Sequence, residues 1–197
     1  MPCQFSITVL LKGIGMNKRV VTKGLRVGLI ILMAVSSSVL VHCATSAVSP
    51  YKVTTTHDES GFYTVDSMKG NLLGGRLNHE LNAARVSAND GTVNYALVVY
   101  YYGKNWMFIK PGESLVLFID GEQIDVKGQG SQSHRKTLEN GMVSELSKYP
   151  VTPKLLKKIS SAKQVKVKII GSDFVAEKYF TEQNFENFKQ FVNDYVK

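Results

Sequence analysis

Between Leu115 and Val126 the chain reads LVLFIDGEQIDV, and the Asp120-Gly121 step constrains its neighbours more than any other local pattern. A tight two-residue hairpin loop needs positive φ at both positions, which Gly adopts freely and Asp more readily than most residues. Leu115 to Ile119 is apolar and β-prone, while Glu122 to Val126 alternates polar with apolar, so the stretch is predicted to be a β-hairpin. Its acidic residues have structural explanations: Asp120 belongs to the turn, and Glu122 and Asp125 to a solvent face.

The segments around the hairpin follow the same grammar. Val93 to Tyr102, VNYALVVYYY, is apolar on both faces in its second half, as expected of a central strand packed from two sides. Gly103-Lys104-Asn105 turns the chain into a predicted strand at Trp106 to Ile109, and Lys110 to Glu113 turns it again. Upstream, Tyr51 to His57 and Phe62 to Met68 flank the turn Asp58-Glu59-Ser60-Gly61 and form a first hairpin. In Leu72 to Val86, the residues Leu73, Leu77, Leu81 and Ala84 recur at helical spacing, but Gly74-Gly75 weakens any helix that begins before Arg76. Ser87 to Thr92 reads as a loop.

Downstream, Lys127 to Lys136 is a polar loop, and Val143 to Val151 is a strand with Val143, Leu146 and Tyr149 in partial alternation. Thr152-Pro153 starts a short helix to about Ser160, because Thr caps and Pro at the first helical position loses no needed hydrogen bond. Gln164 to Ile170 alternates Val165, Val167 and Ile169 with Lys166 and Lys168, and Phe174 to Phe180 is its hairpin partner. Thr181 caps a last helix to about Val196, with Phe185, Phe188, Phe191, Val192 and Tyr195 as an apolar stripe. The expected fold is α+β: a mainly antiparallel sheet or sandwich, with a short helix near 153–160 and a C-terminal helix packed on the sheet. One β-rich domain is expected over residues 51–197.

The first 42 residues differ in kind. Lys18, Arg19, Lys23 and Arg26 precede an apolar run from Val27 to Val41, and no acidic residue occurs before Asp58. That pattern is a secretory leader, its true start expected at Met16, where a compact charged segment begins. Directly after the run comes Leu40-Val41-His42-Cys43. Here the chain resembles bacterial lipoprotein precursors, in which a Leu, a small or β-branched residue, a small residue and then Cys form the processing box. Leu40, Val41 and Cys43 match, and His42 stands where a small residue is expected. The resemblance covers the leader alone and implies lipidation at Cys43, with residues 43–50 as a tether and the protein membrane-anchored in the cell envelope, facing the periplasm or cell surface. Two alternatives stay open: ordinary cleavage after Ala47, giving a soluble periplasmic protein, and an uncleaved anchor.

Export changes the charge argument. The whole chain carries +8, but five of its 24 basic residues and none of its 16 acidic ones precede Cys43, so the exported part is only about +3. With no recognised nucleic-acid motif, a nucleic-acid partner is not expected. Cys43 is acylated or removed and Cys3 is lost, so no internal disulfide holds the exported fold.

No constellation specifies a reaction. His57, His79 and His134 are isolated and read as surface or loop residues, and no metal or cofactor is expected. Ser114, His134 and Asp120 could supply triad chemistry only without a nucleophile elbow, since Gly112-Glu113-Ser114-Leu115-Val116 lacks its final Gly. Two groups remain as candidate ligand surfaces. Tyr100, Tyr102 and Trp106 suit stacking on sugar rings or filling a partner pocket, though core packing explains them too. Lys154, Lys157, Lys158, Lys163, Lys166 and Lys168 form a basic stripe suited to anionic lipid or an acidic partner, or simply a solvated face. The function expected is binding or scaffolding in the envelope, the partner being an envelope protein, a glycan or an anionic lipid. A periplasmic enzyme acting on envelope polymer and a carbohydrate-binding module are the alternatives.

Overall fold

The computed structural model describes residues 51–75 and 78–197. The expected leader, Cys43 and the tether over 43–50 lie outside the described residues, as does Leu77. Among those described, a first hairpin pairs β1 (Lys52–His57) with β2 (Tyr63–Lys69), and β3 (His79–Ala88) and β4 (Val93–Gly103) follow. The central hairpin is β5 (Gly112–Ile119) and β6 (Glu122–Gly128); β7 (Arg135–Thr137) and β8 (Val143–Val151) come next. The remainder is α1 (Pro153–Ser161), β9 (Val165–Ile170), β10 (Val175–Tyr179) and α2 (Glu182–Tyr195).

The strands form two antiparallel sheets, of six strands in the order β1-β2-β3-β4-β8-β7 and four in the order β10-β9-β5-β6. The fold is α+β, as the sequence predicts. Asp120 and Gly121 have φ of 50° and 89°, so the central hairpin turns where the Asp-Gly step says it must. Asp120 also does more than turn: its Oδ1 accepts the backbone N–H groups of Lys163 and Gln164 at 2.9 and 2.8 Å, locking the hairpin tip to the start of β9.

One core joins both sheets and both helices. Leu81, Leu97 and Tyr149 of the larger sheet, Leu117 and Val167 of the smaller, Leu156 of α1 and Phe188 and Phe191 of α2 are all fully buried. The caps form as expected: Thr152 accepts from the Leu155 amide, and Thr181 forms a reciprocal capping box with Asn184. Sequence periodicity missed the polar docking of α2. Asn184 and Asn187 each donate to Oδ1 of Asn71, at 2.8 and 3.0 Å, while the Asn71 side chain donates to the carbonyl of Leu81 at 2.7 Å. These buried amides satisfy one another and fix the helix against the β2–β3 connection.

Four local readings are corrected. Leu81 and Ala84 belong to strand β3, not to a helix; small residues on both faces of a strand mimic helical spacing here. Trp106 to Ile109 is not a strand, its one ladder contact being an isolated bridge from Ile109 to Gly171. Residues 132–136, read as loop, fall in a 3-10 turn and the short strand β7. In β8 the inward set is Val143, Glu145, Ser147 and Tyr149, so Leu146 faces away.

Glu145 explains how residues 107–109 exist without a ladder. Its carboxylate accepts the backbone N–H groups of Met107, Phe108 and Ile109 at 2.6, 2.8 and 3.0 Å, and the Ser131 hydroxyl also donates to it. Arg135 Nε lies 3.8 Å away, and its guanidinium caps the Phe108 ring at 4.7 Å. Phe108 sits at φ 53°, a conformation costly for an aromatic residue, and these contacts hold it there. Burial alone would push the Glu145 pKa up, but the Ser131 hydroxyl and the three amides outweigh it and hold the carboxyl below its ordinary value. The held segment carries the chain from the end of β4 to the start of β5. Close to it, Gly171 lies against the Met107 carbonyl, 2.1 Å from where a Cβ would sit, so no larger residue fits there.

Replacing Glu145 with Ala strands three amides and Ser131 and is expected to cost about 3–5 kcal/mol. Urea unfolding at pH 7 reads this as a lowered midpoint. Because the folded-state pKa is depressed, the wild-type contribution is present above the unfolded carboxylate pKa and fades as pH falls through the folded value.

Candidate binding face

Along β4 the side chains alternate, so Tyr95, Leu97, Val99 and Tyr101 enter the core while Ala96, Val98, Tyr100 and Tyr102 project from the opposite face of the larger sheet. Cross-strand register extends that outer face. Thr54, Ser67, Ala84, Ala96 and Pro150 stand in one row across β1, β2, β3, β4 and β8. Short side chains in a row leave a channel between taller neighbours. One bank carries Thr56, Val65 and Val86, and the other Lys69, Val98 and Lys148. The resulting hollow encloses about 320 Å³, and every described residue lining it belongs to the sheet itself. Four strand spacings make it about 19 Å long.

Two further hollows join it. One of about 550 Å³ shares Val86, Ala96 and Lys148 with the first and extends to Val93, Pro150 and Pro153. Another of about 200 Å³ shares Tyr100 and Leu146 and extends to Tyr102, His134 and Lys136. The expectation that β4 is packed from two sides therefore holds on its core face alone. Neither helix nor any strand of the smaller sheet lines the first hollow on the other side.

The face is electropositive. Lys52 and Lys69 are directly opposed across the first hairpin, an unfavourable like-charge pair, and Lys136 and Lys148 face the same side. Among the described residues none of these four lysines makes an ion pair. Lys69 instead reaches the Tyr100 hydroxyl at 3.1 Å and lies 5.2 Å from that ring's centre. The nearby carboxylate of Glu80 is occupied by the Gly70 amide at 3.2 Å and the Asn82 side chain at 2.9 Å.

The residues singled out from sequence divide between this face and others. Tyr100 and Tyr102 lie on it, half-buried, with nearly parallel rings 6.4 Å apart. Trp106 does not line it and stacks on Phe108 at 5.9 Å. The lysine stripe is partly neutralised: Lys158 meets Glu122 at 2.5 Å, and Lys166 and Lys168 lie 3.6 and 4.0 Å from Glu177. Lys166 also caps the Phe118 ring at 4.2 Å, leaving Lys154, Lys157 and Lys163 exposed without an acidic partner among the described residues. Lys69 and Lys148 were missed because they stand on strands far apart in sequence. Their signal is the polar phase of β2 and β8, which a strand-by-strand reading assigns to solvent.

Catalytic constellations do not assemble. Ser114 is buried and hydrogen-bonds the Tyr149 hydroxyl at 2.9 Å, while Asp120 sits six residues along β5, roughly 20 Å away. Among the described residues no three His, Cys, Asp or Glu side chains gather as a metal site requires. No described helix is long and apolar enough to cross a membrane. His79 departs from its reading as a surface residue: it is buried in β3 beside the Tyr101 ring, at 5.1 Å, and neither ring nitrogen has a partner. Neither a protein-family model nor a curated protein sequence matches the chain.

Burial, aided by the charge of Lys178, lowers the His79 pKa from 6.5 to about 4. The unfolded chain takes up this proton first as pH falls, so the folded state is expected to lose ~3 kcal/mol between about pH 6.5 and 4. Urea midpoints measured across that window check it: His79→Phe, which keeps the ring and removes the titration, flattens the decline.

Proposed function

We propose that this chain is an exported, non-enzymatic protein of the bacterial cell envelope, tethered through a lipidated Cys43, that binds its ligand on the outer face of the six-stranded sheet. The observation that carries this reading is the continuous hollow over Ala84, Ala96 and Val98, apolar along one bank and cationic along the other. A partner seated in this hollow removes its apolar walls from water, a gain of roughly 25 cal/mol for each Å² covered. The leader pattern and the Leu40-Val41-His42-Cys43 box support export and tethering. The hollows bring no pair of carboxylates together, which favours binding over hydrolysis of an envelope polymer.

A second reading, a glycan ligand, is favoured by the parallel rings of Tyr100 and Tyr102. The absence of Trp106 from that platform makes it the weaker of the two.

Both parts of the proposal are open to one set of experiments in the producing cell. A photo-crosslinking residue installed at Val98 or Leu146 is expected to trap a defined adduct, and one at Lys157 is not. Equal trapping from all three positions, or none from the first two, contradicts the binding face. Cys43→Ala is expected to abolish fatty-acid labelling and move the protein out of the membrane fraction. Unchanged labelling and fractionation reject the tether without touching the face.

A further inference from the structure

We infer that the ligand of the outer face is a single-chain anionic amphiphile, of the long-chain fatty acid type; this rests on the binding-face reading above. Three properties of the face select that chemistry together. First, the floor is narrow and apolar. The row of Ser67, Ala84 and Ala96, flanked by Val65, Val86 and Val98, offers no side-chain amide or carboxylate to orient a polar polymer along its length. Its span of about 19 Å matches one extended hydrocarbon chain, and its width of two residue rows suits one chain better than two.

Second, the cations lie on one bank. Lys148 stands directly opposite Val98, whose partner on the other side is Asn82; Lys69 lines the same bank, and Lys52 adds its charge beside Lys69. An anionic head group lying against this bank meets these ammonium groups, while its tail lies along the floor. The like-charge pair of Lys52 and Lys69 is unfavourable in the empty protein and is relieved by a bound carboxylate. Third, the same charges argue against the simplest alternative cover, a second copy of the chain. Face-to-face pairing would bring together two surfaces that each carry Lys52, Lys69, Lys136 and Lys148.

The 550 Å³ hollow continues the channel past Pro150 to Val93 and Pro153, so the tail has room to run beyond the small-residue row. Tyr100 closes the cationic bank. Its hydroxyl accepts from Lys69 at 3.1 Å, which holds that ammonium beside the Tyr100 ring.

The test uses the protein as isolated from its producing cells, titrated with a dansyl-labelled long-chain fatty acid. Wild type is expected to show saturable binding. Ala96→Phe, which fills the floor without changing charge, and the pair Lys69→Glu/Lys148→Glu, which reverses the bank, each weaken it at least about tenfold; Lys154→Glu/Lys157→Glu leaves it unchanged. A long-chain alcohol of the same length competes at least about tenfold less well than the acid. Circular dichroism melting shows whether Ala96→Phe still folds, and the lysine variants, being at the surface, carry the test if it does not. Absence of saturable binding, or equal binding by all variants, overturns the inference. If crosslinking from Val98 still traps an adduct that proves to be a glycan or a protein, the binding face stands and only the amphiphile is wrong. If neither crosslinks nor fatty acid binding appear, both readings fall.

Discussion

The buried carboxylate of Glu145 and the three consecutive amides it accepts decide how this chain divides its strands between two sheets. After β4, the chain leaves the six-stranded sheet and must reach β5 in the four-stranded one with its backbone groups satisfied, and residues 107–109 have no ladder in which to do it. Glu145 supplies the missing acceptors from β8, and Arg135 and Ser131 complete its shell. The smaller sheet and both helices then share one core with a single face of the larger sheet. The opposite face is left with the apolar phase of β4 still on it.

That asymmetry gives the outer face of the larger sheet a chemical character of its own. On the α1–β9 side the stripe is partly met by carboxylates, Lys158 by Glu122 and Lys166 and Lys168 by Glu177, and no lysine of the stripe lines the apolar channel. On the outer face of the larger sheet the lysines are not so met, and two of them directly oppose each other. Surface ion pairs contribute little to stability, so the difference matters less for folding than for what the face attracts. An apolar channel beside unpaired ammonium groups favours a ligand that is itself divided into hydrocarbon and anion.

Much of this architecture was legible in the sequence because it rests on local signals. The Asp120-Gly121 turn, the Thr152-Pro153 and Thr181 helix starts, and the alternation of Val165, Val167 and Ile169 each declare themselves within a few residues. The failures are non-local. Nothing near Glu145 announces that it will be buried, since its partners lie 36 to 38 residues away. Asn71 meets Asn184 and Asn187 across more than 110 residues. The channel is invisible for the same reason: Ser67, Ala84, Ala96 and Pro150 become neighbours only through register. The apolar second face of β4 is plain in the sequence, but sequence alone does not say that the smaller sheet and the helices pack on the other face.

The most direct test of this account is methyl NMR of the protein during titration with a long-chain fatty acid. The methyl groups of Val65, Val86, Val98, Leu146, Ala84 and Ala96 are predicted to shift together and saturably, while those of Leu97, Val99, Leu117 and Val167, on the core side, stay in place. Shifts centred on the core methyls or on α1 and β9, with the outer face unmoved, would contradict it.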